Sequence, residues 1–156
     1  MPIRPAALSD AQAISRLLTQ LEYPGTQDFL EVRLAALLRD PAETLLVWEE
    51  PNGQADPGGT ATQPAGPPRI LGLLSLHFIP QLALRGDFAR ISYFAVDDTT
   101  RGKGIGRAME EEATRLAREH GCALIEVHCH SRRKRAHEFY VRQGYVESPK
   151  YLIKRL

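Results

Sequence analysis

Three glycines at alternate positions, with cations beside them, give one short segment of this chain the composition of an anion site. The segment follows the run Ile91–Val96, whose β-branched and aromatic residues favour a buried strand. Apolar residues at helical spacing follow it, from Ile105 to Ala117. Glycine allows close approach to the backbone, and the first turn of a helix presents unpaired N–H groups. We therefore predict a pyrophosphate site formed by Arg101, Gly102, Lys103, Gly104, Ile105 and Gly106.

The spacing within this segment distinguishes several kinds of phosphate-binding loop. Lys103 is followed by a glycine, so the hydroxyl that a P-loop provides for magnesium is missing. The third glycine comes one position too early for the dinucleotide-binding fingerprint. The pattern Arg-x-x-Gly-x-Gly resembles instead the coenzyme A pyrophosphate loop of the GNAT N-acetyltransferases. For the hexapeptide alone, a glycine-rich connection with solvated cations is the alternative.

A second segment, Ala136–Tyr145, is similar to the family signature A-x-x-F-Y-x-x-x-G-[FY]. It follows the first motif by one strand and one helix, as in the family, and the resemblance covers essentially the whole chain. Many members have asparagine where this chain has Arg133, so a hydrogen bond from this position to the pantetheine arm is not assumed. Arg133 belongs to the cationic run 132–135, which either attracts the phosphates of coenzyme A or forms a solvated helix face.

The predicted elements follow the order β-α-α-β-β-β-α-β-α-β-β. The resemblance implies the GNAT fold, an α/β (α+β) single domain over residues 1–156. Its central sheet is expected to be mixed and mostly antiparallel, with about seven strands flanked by four helices. The last two strands, at 145–147 and 151–154, are predicted to form a hairpin. Proline and glycine dominate the segment Pro51–Pro68, which predicts a mobile loop between two strands.

Net charge, apolar run length and cysteine positions indicate which partners and which cellular compartment to expect. The formal net charge is +1, which gives no overall attraction to nucleic acid or to a membrane surface. No apolar run approaches the length of a signal peptide or a spanning helix. Cys122 and Cys129 flank a predicted strand, Ala123–His130, that separates them too far for a disulfide. We expect a cytoplasmic protein without nucleic-acid or membrane partners.

The chemistry implied by the resemblance is the attack of a neutral amine on the thioester of acetyl-CoA, its co-substrate. The family fold implies that the strands Ile91–Val96 and Ala123–His130 part from each other. Backbone groups of Phe94, Ala95 and Val96 would then bond the pantetheine arm as an added strand would. One backbone N–H, of Ala95 or Val96, would stabilise the developing charge on the thioester oxygen.

The departing thiolate needs a proton. In the family, the tyrosine of the second motif commonly provides it, and this role falls here on Tyr140. The alternative is that Tyr140, like Phe139, is an aromatic residue that packs the helix on the sheet. A buried hydroxyl needs a polar partner in either case, which favours the acid role for Tyr140.

The incoming amine must lose a proton, and the sequence leaves the base open. The candidates, ranked with the first two ahead, are Glu126 and His128, followed by Tyr93, His77 and His130. A chain of water molecules without a single base is a further alternative. The run His128–His130 contains two histidines and a cysteine but no second pair of ligands follows it, so no metal site is predicted.

The predicted function is acetyl-CoA-dependent transfer of an acetyl group to a primary amine of a small molecule or peptide. The acceptor is expected at the Leu21–Thr26 turn, the Gln81–Phe88 connection and the final hairpin. Arg85, Arg90 and Tyr23 would suit an acidic acceptor. The alternative function is a non-catalytic acyl-CoA sensor, because relatives often have a glutamate where this chain has Arg90. Many relatives form dimers, so a homodimer is a further expectation.

Overall fold

The computed structural model describes residues 2–50, 68–148 and 151–156. Nearly all of the loop Pro51–Pro68 lies outside these residues, and its mobility stays a prediction. Along the described parts, strands and helices confirm the predicted order as far as the last helix. Their bounds are β1 (Ile3–Pro5), α1 (Ala11–Gln20), α2 (Leu30–Leu37), β2 (Glu43–Glu50), β3 (Arg69–Ile79), β4 (Phe88–Val96), α3 (Ile105–Glu119), β5 (Leu124–Val127) and α4 (Lys134–Arg142).

The described strands form one sheet in the order β1-β2-β3-β4-β5. Neighbouring strands are antiparallel except β4 and β5, which are parallel and are connected through α3. β1 lies at an edge of the sheet, where Pro5 does not interrupt a ladder on both sides. β3 lies in the centre and is buried from Ile70 to Leu76, which explains its almost continuous apolar sequence.

Helices cover both faces of this sheet. On one face, called the α1/α2 face below, Leu17 and Leu34 join Val47 and Leu73 in a buried cluster. On the opposite face, Met109 of α3 is fully buried in a second cluster with apolar residues of β3 and β4. The apolar positions of α1 and α3 recur at helical spacing, so each helix buries one stripe. Within the described residues, no helix has the length and apolarity needed to span a bilayer.

The prediction of about seven strands is wrong in number, because the described residues form five. Residues 145–148 and 151–156 lie in no strand, and of the predicted turn at Ser148 and Pro149 the proline is outside the described residues. Val146 and Leu152 are 87% and 90% exposed. Their side chains therefore find no packing surface, and an alternating pattern without burial does not secure a strand. The fold class is unaffected.

Two elements that precede this segment are shorter than predicted. β5 ends at Val127 rather than His130, because β4 provides no ladder partner beyond that point. α4 begins at Lys134, and Arg133 occupies its N-cap position with a non-helical ψ of 63°. Residues 128–133 therefore form a connection between β5 and α4 instead of extending either element.

Candidate active site

Strand β4 has a bulge where it separates from β5. In the β3–β4 ladder, Ser75 is opposite Tyr93 and Leu76 is opposite Ile91, so Ser92 is the extra residue of the bulge. A bulge bends and twists its strand locally. The β4–β5 ladder ends at the pair Ile91 and Val127, whereas β4 continues to Val96. The predicted parting of these two strands is confirmed.

The parting leaves backbone groups of β4 at an open edge. The N–H of Asp97 donates to the carbonyl oxygen of Leu71 over 2.8 Å. Bonded and non-bonded pairs alternate along an antiparallel ladder. In this register Ala95 consequently faces β3, whereas the N–H and C=O groups of Phe94 and Val96 face the open edge. Of the two amides predicted for the thioester oxygen, Val96 has the suitable direction.

A pocket lies in the opening between β4 and β5. Its lining comes from the end of α1 and the following turn (Leu21, Tyr23), from β4 (Ile91, Ser92, Phe94), from the end of β5 and the connection after it (Val127, His128, Cys129), and from α4 with its cap (Arg133, Ala136, Tyr140). Two of the three predicted catalytic residues, Tyr140 and His128, are therefore brought together here, and Glu126 is not among the lining residues.

The predicted pyrophosphate loop follows the open end of β4. Gly102 and Gly104 have φ angles of +83° and +81°, a conformation that residues with a Cβ rarely adopt. Lys103 is exposed, and Arg101 is exposed in an ion pair with Asp98. The first backbone N–H groups of any helix have no intrahelical partner. Among the described residues, no side chain caps α3 at Gly104 to take their place. This geometry suits an anion.

The first turn of α3 is fixed by packing. Ile105 is buried in the apolar cluster beneath the helix. Gly106 has an ordinary helical conformation and allows a close approach instead, because a Cβ there would lie 3.4 Å from the ring of Phe139. The contact brings α4, which carries Tyr140, next to the loop.

Tyr140 is half-buried among aromatic rings. Its ring centre lies 6.5 Å from that of Phe94 and 5.2 Å from that of Tyr145. Burial raises the pKa of the Tyr140 hydroxyl well above its ordinary value, and the cation of Arg133 opposes this only in part. A tyrosine hydroxyl of ordinary pKa already keeps its proton at neutral pH; the raised pKa makes Tyr140 a weaker acid and further excludes a role as base, so the acid role depends on its position at the pocket.

The two leading base candidates have different surroundings. Glu126 is opposite Arg90 in the β4–β5 ladder, and its Oε1 accepts a hydrogen bond of 2.7 Å from Arg90 Nε. His128 is exposed at the pocket, with its ring centre 4.5 Å from that of Tyr151. The ion pair occupies both Glu126 and Arg90, and Arg90 was predicted to bind an acidic acceptor.

The cationic run 132–135 divides between several roles. Arg133 is half-buried and lines the pocket. Arg132 contacts Glu22 at the end of α1, with 2.5 Å between Nη2 and Oε2. Lys134 and Arg135 are exposed on the first turn of α4. Only Arg133 is therefore positioned to add positive charge to the pocket.

Comparison with known proteins identifies the family. Residues 11–145 match the family model described as "Acetyltransferase (GNAT) family", and this range contains both sequence motifs and the pocket. The chain belongs to the GNAT acetyltransferase family. The resemblance found in the sequence is thereby confirmed.

Three individual proteins illustrate the similarity in sequence or in fold. An aminoalkylphosphonate N-acetyltransferase from Salmonella typhimurium is 33% identical over 79 residues, which is 51% of this chain and 51% of that protein. This chain thus aligns with about half the length of that curated relative. A crystal structure of a transcriptional regulator from Bacillus halodurans C-125 has a TM-score of 0.80 at 24% identity, over 99% of this chain and 98% of that one. Glucosamine-6-phosphate N-acetyltransferase from Arabidopsis thaliana has a TM-score of 0.74 at 22% identity, over 98% and 96%. At such identities, the structural likeness shows the fold alone.

One buried carboxylate of this GNAT chain was missed in the sequence. Asp97 is 1% exposed and accepts hydrogen bonds from Thr99, of 3.0 Å from the N–H and 2.6 Å from the hydroxyl. Arg16 of α1 forms an ion pair with its other oxygen. Burial by itself would raise the pKa of Asp97, but the bonds from Thr99 and Arg16 outweigh it and lower this pKa. Asp97 therefore fixes the turn that leads into the pyrophosphate loop.

The turn formed by Asp97 and Thr99 has a local signal in the sequence. Aspartate two positions before threonine, directly after a strand, is typical of a turn in which the carboxylate accepts from the backbone. Arg16 gives no such signal, because it is 81 residues away in sequence. Among the described residues, no group of three or more His, Cys, Asp and Glu side chains is arranged to hold a metal ion.

Proposed function

We propose that this GNAT chain is an N-acetyltransferase that uses acetyl-CoA to acetylate a primary amine of a small molecule or peptide, within a ternary complex. The observation that carries the proposal is the parting of β4 from β5 directly before the glycine-rich loop, with Tyr140 at the opening. The open edge of β4, the anion loop and the proton donor Tyr140 are then adjacent, and a thioester coenzyme with a long arm and a pyrophosphate needs all three.

The residues present fit coenzyme A. Gly102 and Gly104 have open space where a Cβ would stand, so a ligand can approach the backbone there. The free N–H groups at the start of α3 and the exposed Lys103 would hold the pyrophosphate. Phe94 and Val96 would bond the pantetheine arm along the open edge of β4. Arg133 adds a cation at the pocket.

Acetyl-CoA supplies an activated acetyl group when bound. The chain's own contribution is to position the reactants and to place donors around the reacting atoms. The N–H of Val96 would donate to the thioester oxygen, where negative charge develops. The Oη of Tyr140, whose pKa burial raises, would protonate the departing sulfur. Phe94, packed near Phe139 and Tyr140, would keep water from this end of the pocket.

A small-molecule acceptor is supported by one relative. The Salmonella protein is named for an aminoalkylphosphonate acceptor, and its aligned part covers half of this chain. For this chain an acidic acceptor would need a cation other than Arg90, which is bound to Glu126. Arg85, exposed in the connection before β4, stays a candidate.

The test is a panel of primary amines incubated with acetyl-CoA and the purified protein. Released thiol and acetylated product are both measured, the latter by mass spectrometry. The proposal expects stoichiometric thiol and product with at least one amine. Binding of acetyl-CoA by calorimetry without turnover of any amine would contradict it and would favour the non-catalytic sensor.

A further inference from the structure

Four polar side chains form a row across the α1/α2 face of the sheet. Glu43 of β2 is opposite His77 of β3, His77 is opposite Arg90 of β4, and Arg90 is opposite Glu126 of β5. Directly opposed residues project from the same face. The row lies two register steps from the pair Ser75 and Tyr93, and Arg90 directly precedes the pocket residue Ile91.

The row consists of two pairs, Arg90 with Glu126 and His77 with Glu43, which differ in how many of their polar atoms have hydrogen-bond partners. Glu126 holds Arg90, as described above. At the other end, Oε1 of Glu43 lies 2.5 Å from Nδ1 of His77. The side chain of Glu43 is only 10% exposed, and within the described residues both its Oε2 and the Nδ1 of His77 are buried without a hydrogen bond, so the two side chains meet as a close ion-pair contact. A buried carboxylate of this kind gains from a protonated neighbour.

His77 and Glu43 differ in their exposure to solvent. The side chain of His77 is 33% exposed, whereas Glu43 beneath it is nearly covered. With Nδ1 directed at Glu43, the other ring nitrogen, Nε2, is the one available to solvent or substrate. His77 is one strand away from β4, a distance of about 5 Å across a sheet. His77 does not itself line the pocket, so a chain of water molecules past Arg90 would connect its Nε2 with an amine at the opening beside Ile91 and Ser92.

We propose that His77, positioned by Glu43, accepts through a chain of water molecules the proton that the acceptor's ammonium group must lose. The inference rests on the proposed N-acetyltransferase function. One N–H bond of the acceptor breaks and one N–H bond forms at Nε2 of His77. The imidazolium returns its proton to bulk water, so the step needs no further reactant. Glu43 is a positioning residue, because it acts through His77.

The surroundings favour His77 over the other two candidates. Glu126 already neutralises Arg90. No carboxylate of the described residues is paired with His128, whose ring packs against Tyr151. The groups that face His77 are Glu43 from β2 and Arg90 from β4, with Glu126 beyond Arg90. Asp40 adds a negative charge near Glu43, so the carboxylates outnumber the single cation Arg90.

The experiment compares three variants of the whole chain with the wild type. His77→Gln removes the titrating ring, Glu43→Gln removes the charge behind it, and His128→Gln tests the competing histidine. His120→Gln is the matched control, since this exposed ring stacks on Phe78 at the opposite face of the sheet, 3.9 Å between centres. Thermal unfolding and acetyl-CoA affinity are measured for each variant, so that a folding defect or lost coenzyme binding is recognised.

The first readout is kcat/KM as a function of pH with an amine from the panel. His77→Gln is expected to lower kcat/KM about 100-fold at pH 7 and Glu43→Gln about tenfold, with acetyl-CoA affinity unchanged. Both losses should shrink toward pH 10, where a primary amine of pKa about 10 increasingly arrives neutral. His120→Gln should match the wild type.

The second readout does not depend on turnover. ¹⁵N NMR of the imidazoles reports which ring nitrogen of His77 carries the proton, and a preference for Nδ1–H that Glu43→Gln abolishes would support the positioning role. Lack of that preference in the wild type would overturn it.

A His77→Gln rate within twofold of the wild type at pH 7, or a loss equal at every pH, would overturn the base role. A pH-dependent loss in His128→Gln alone would transfer it to His128. If the wild type binds acetyl-CoA but acetylates no amine, the proposed function itself fails, and the base role fails with it.

Discussion

The two edges of β4 differ along the same residues. Toward β3 the strand is paired from Phe88 to Val96, interrupted only by the bulge at Ser92. Toward β5 it is paired only from Phe88 to Ile91. The complete ladder holds the strand in place, and the incomplete one exposes its backbone donors and acceptors. An unpaired edge attracts any extended chain. In this chain it opens into a pocket bounded by α4, where the proposed function requires a ligand with an amide-containing arm.

Two carboxylates, Asp97 and Glu43, differ in a similar way. Beside the paired edge, the carboxylate of Asp97 has partners on both oxygens. In the row of Glu43, His77, Arg90 and Glu126, Glu43 has one buried oxygen that lacks a partner among the described residues. A completely satisfied charge stabilises structure, whereas an incompletely satisfied one can still exchange a proton. This contrast makes the variants below informative.

The largest effect is expected from Gly104→Asp in the loop beyond the open edge. The substitution places a Cβ at φ +81° and an anion where a pyrophosphate would bind. We expect acetyl-CoA affinity to fall at least about 100-fold in calorimetry. Gly121→Asp is the matched control, because this glycine ends the same helix with φ +75° and open space around it. An equal loss of affinity in both variants would show that strain, and not the loop's anion chemistry, is responsible.

Asp97→Ala tests the paired edge. Removing a buried carboxylate leaves Arg16 and Thr99 without their acceptor, and we expect the free energy of unfolding at pH 7 to fall by about 3 kcal/mol. The fold lowers the pKa of Asp97, so its contribution is complete above the unfolded value of about 3.9 and is lost as the pH falls below it. The deficit of the variant, measured by urea unfolding, should therefore narrow toward pH 2.

The control for this prediction is Asp98→Ala. Asp98 is 50% exposed and, among the residues that the structure describes, its carboxylate pairs only with the exposed Arg101. Its removal should cost less than about 0.5 kcal/mol. A similar cost for both aspartates would contradict the role assigned to Asp97 in the turn.

Tyr140→Phe tests the open edge itself. The ring and its aromatic contacts remain, but the proton donor is lost, and we expect kcat to fall about 10- to 100-fold with little change in acetyl-CoA affinity. Tyr145→Phe is the control, since its hydroxyl donates to Glu110 over 3.1 Å outside the pocket lining. That variant should lose about 1 kcal/mol of stability and keep its rate. An unchanged rate in Tyr140→Phe would refute the acid role.

The smallest effect is expected from Arg133→Gln. Arg133 lines the pocket but is partly solvated, so acetyl-CoA affinity should fall about three-fold at low salt and less at high salt. Arg135→Gln, an exposed cation on the first turn of the same helix, should have no effect on affinity. Equal effects would mean that the whole run acts as a diffuse positive field.

Sequence reasoning succeeded where the signal is local. The glycine spacing and the alanine–phenylalanine–tyrosine pattern of α4 lie within single segments, and both predict a helix where the structure has one, although α4 begins later than predicted. The roles assigned to these residues stay predictions. The final hairpin was wrong because alternation at 145–147 and 151–154 carries no information about a packing surface. The extent of β5 was overestimated because a strand ends where its partner leaves.

The sequence by itself determined the family, the order of the elements as far as the last helix and the position of the glycine-rich loop, because each depends on neighbours a few residues apart. Only the tertiary structure decided which backbone amides face the opening, which carboxylate fixes the loop, and which charged side chains meet in one row. Those arrangements depend on strand register and on pairs such as Asp97 with Arg16, which are distant in sequence and have no local signature. Register is set by the packing of the whole sheet, so no single segment encodes it.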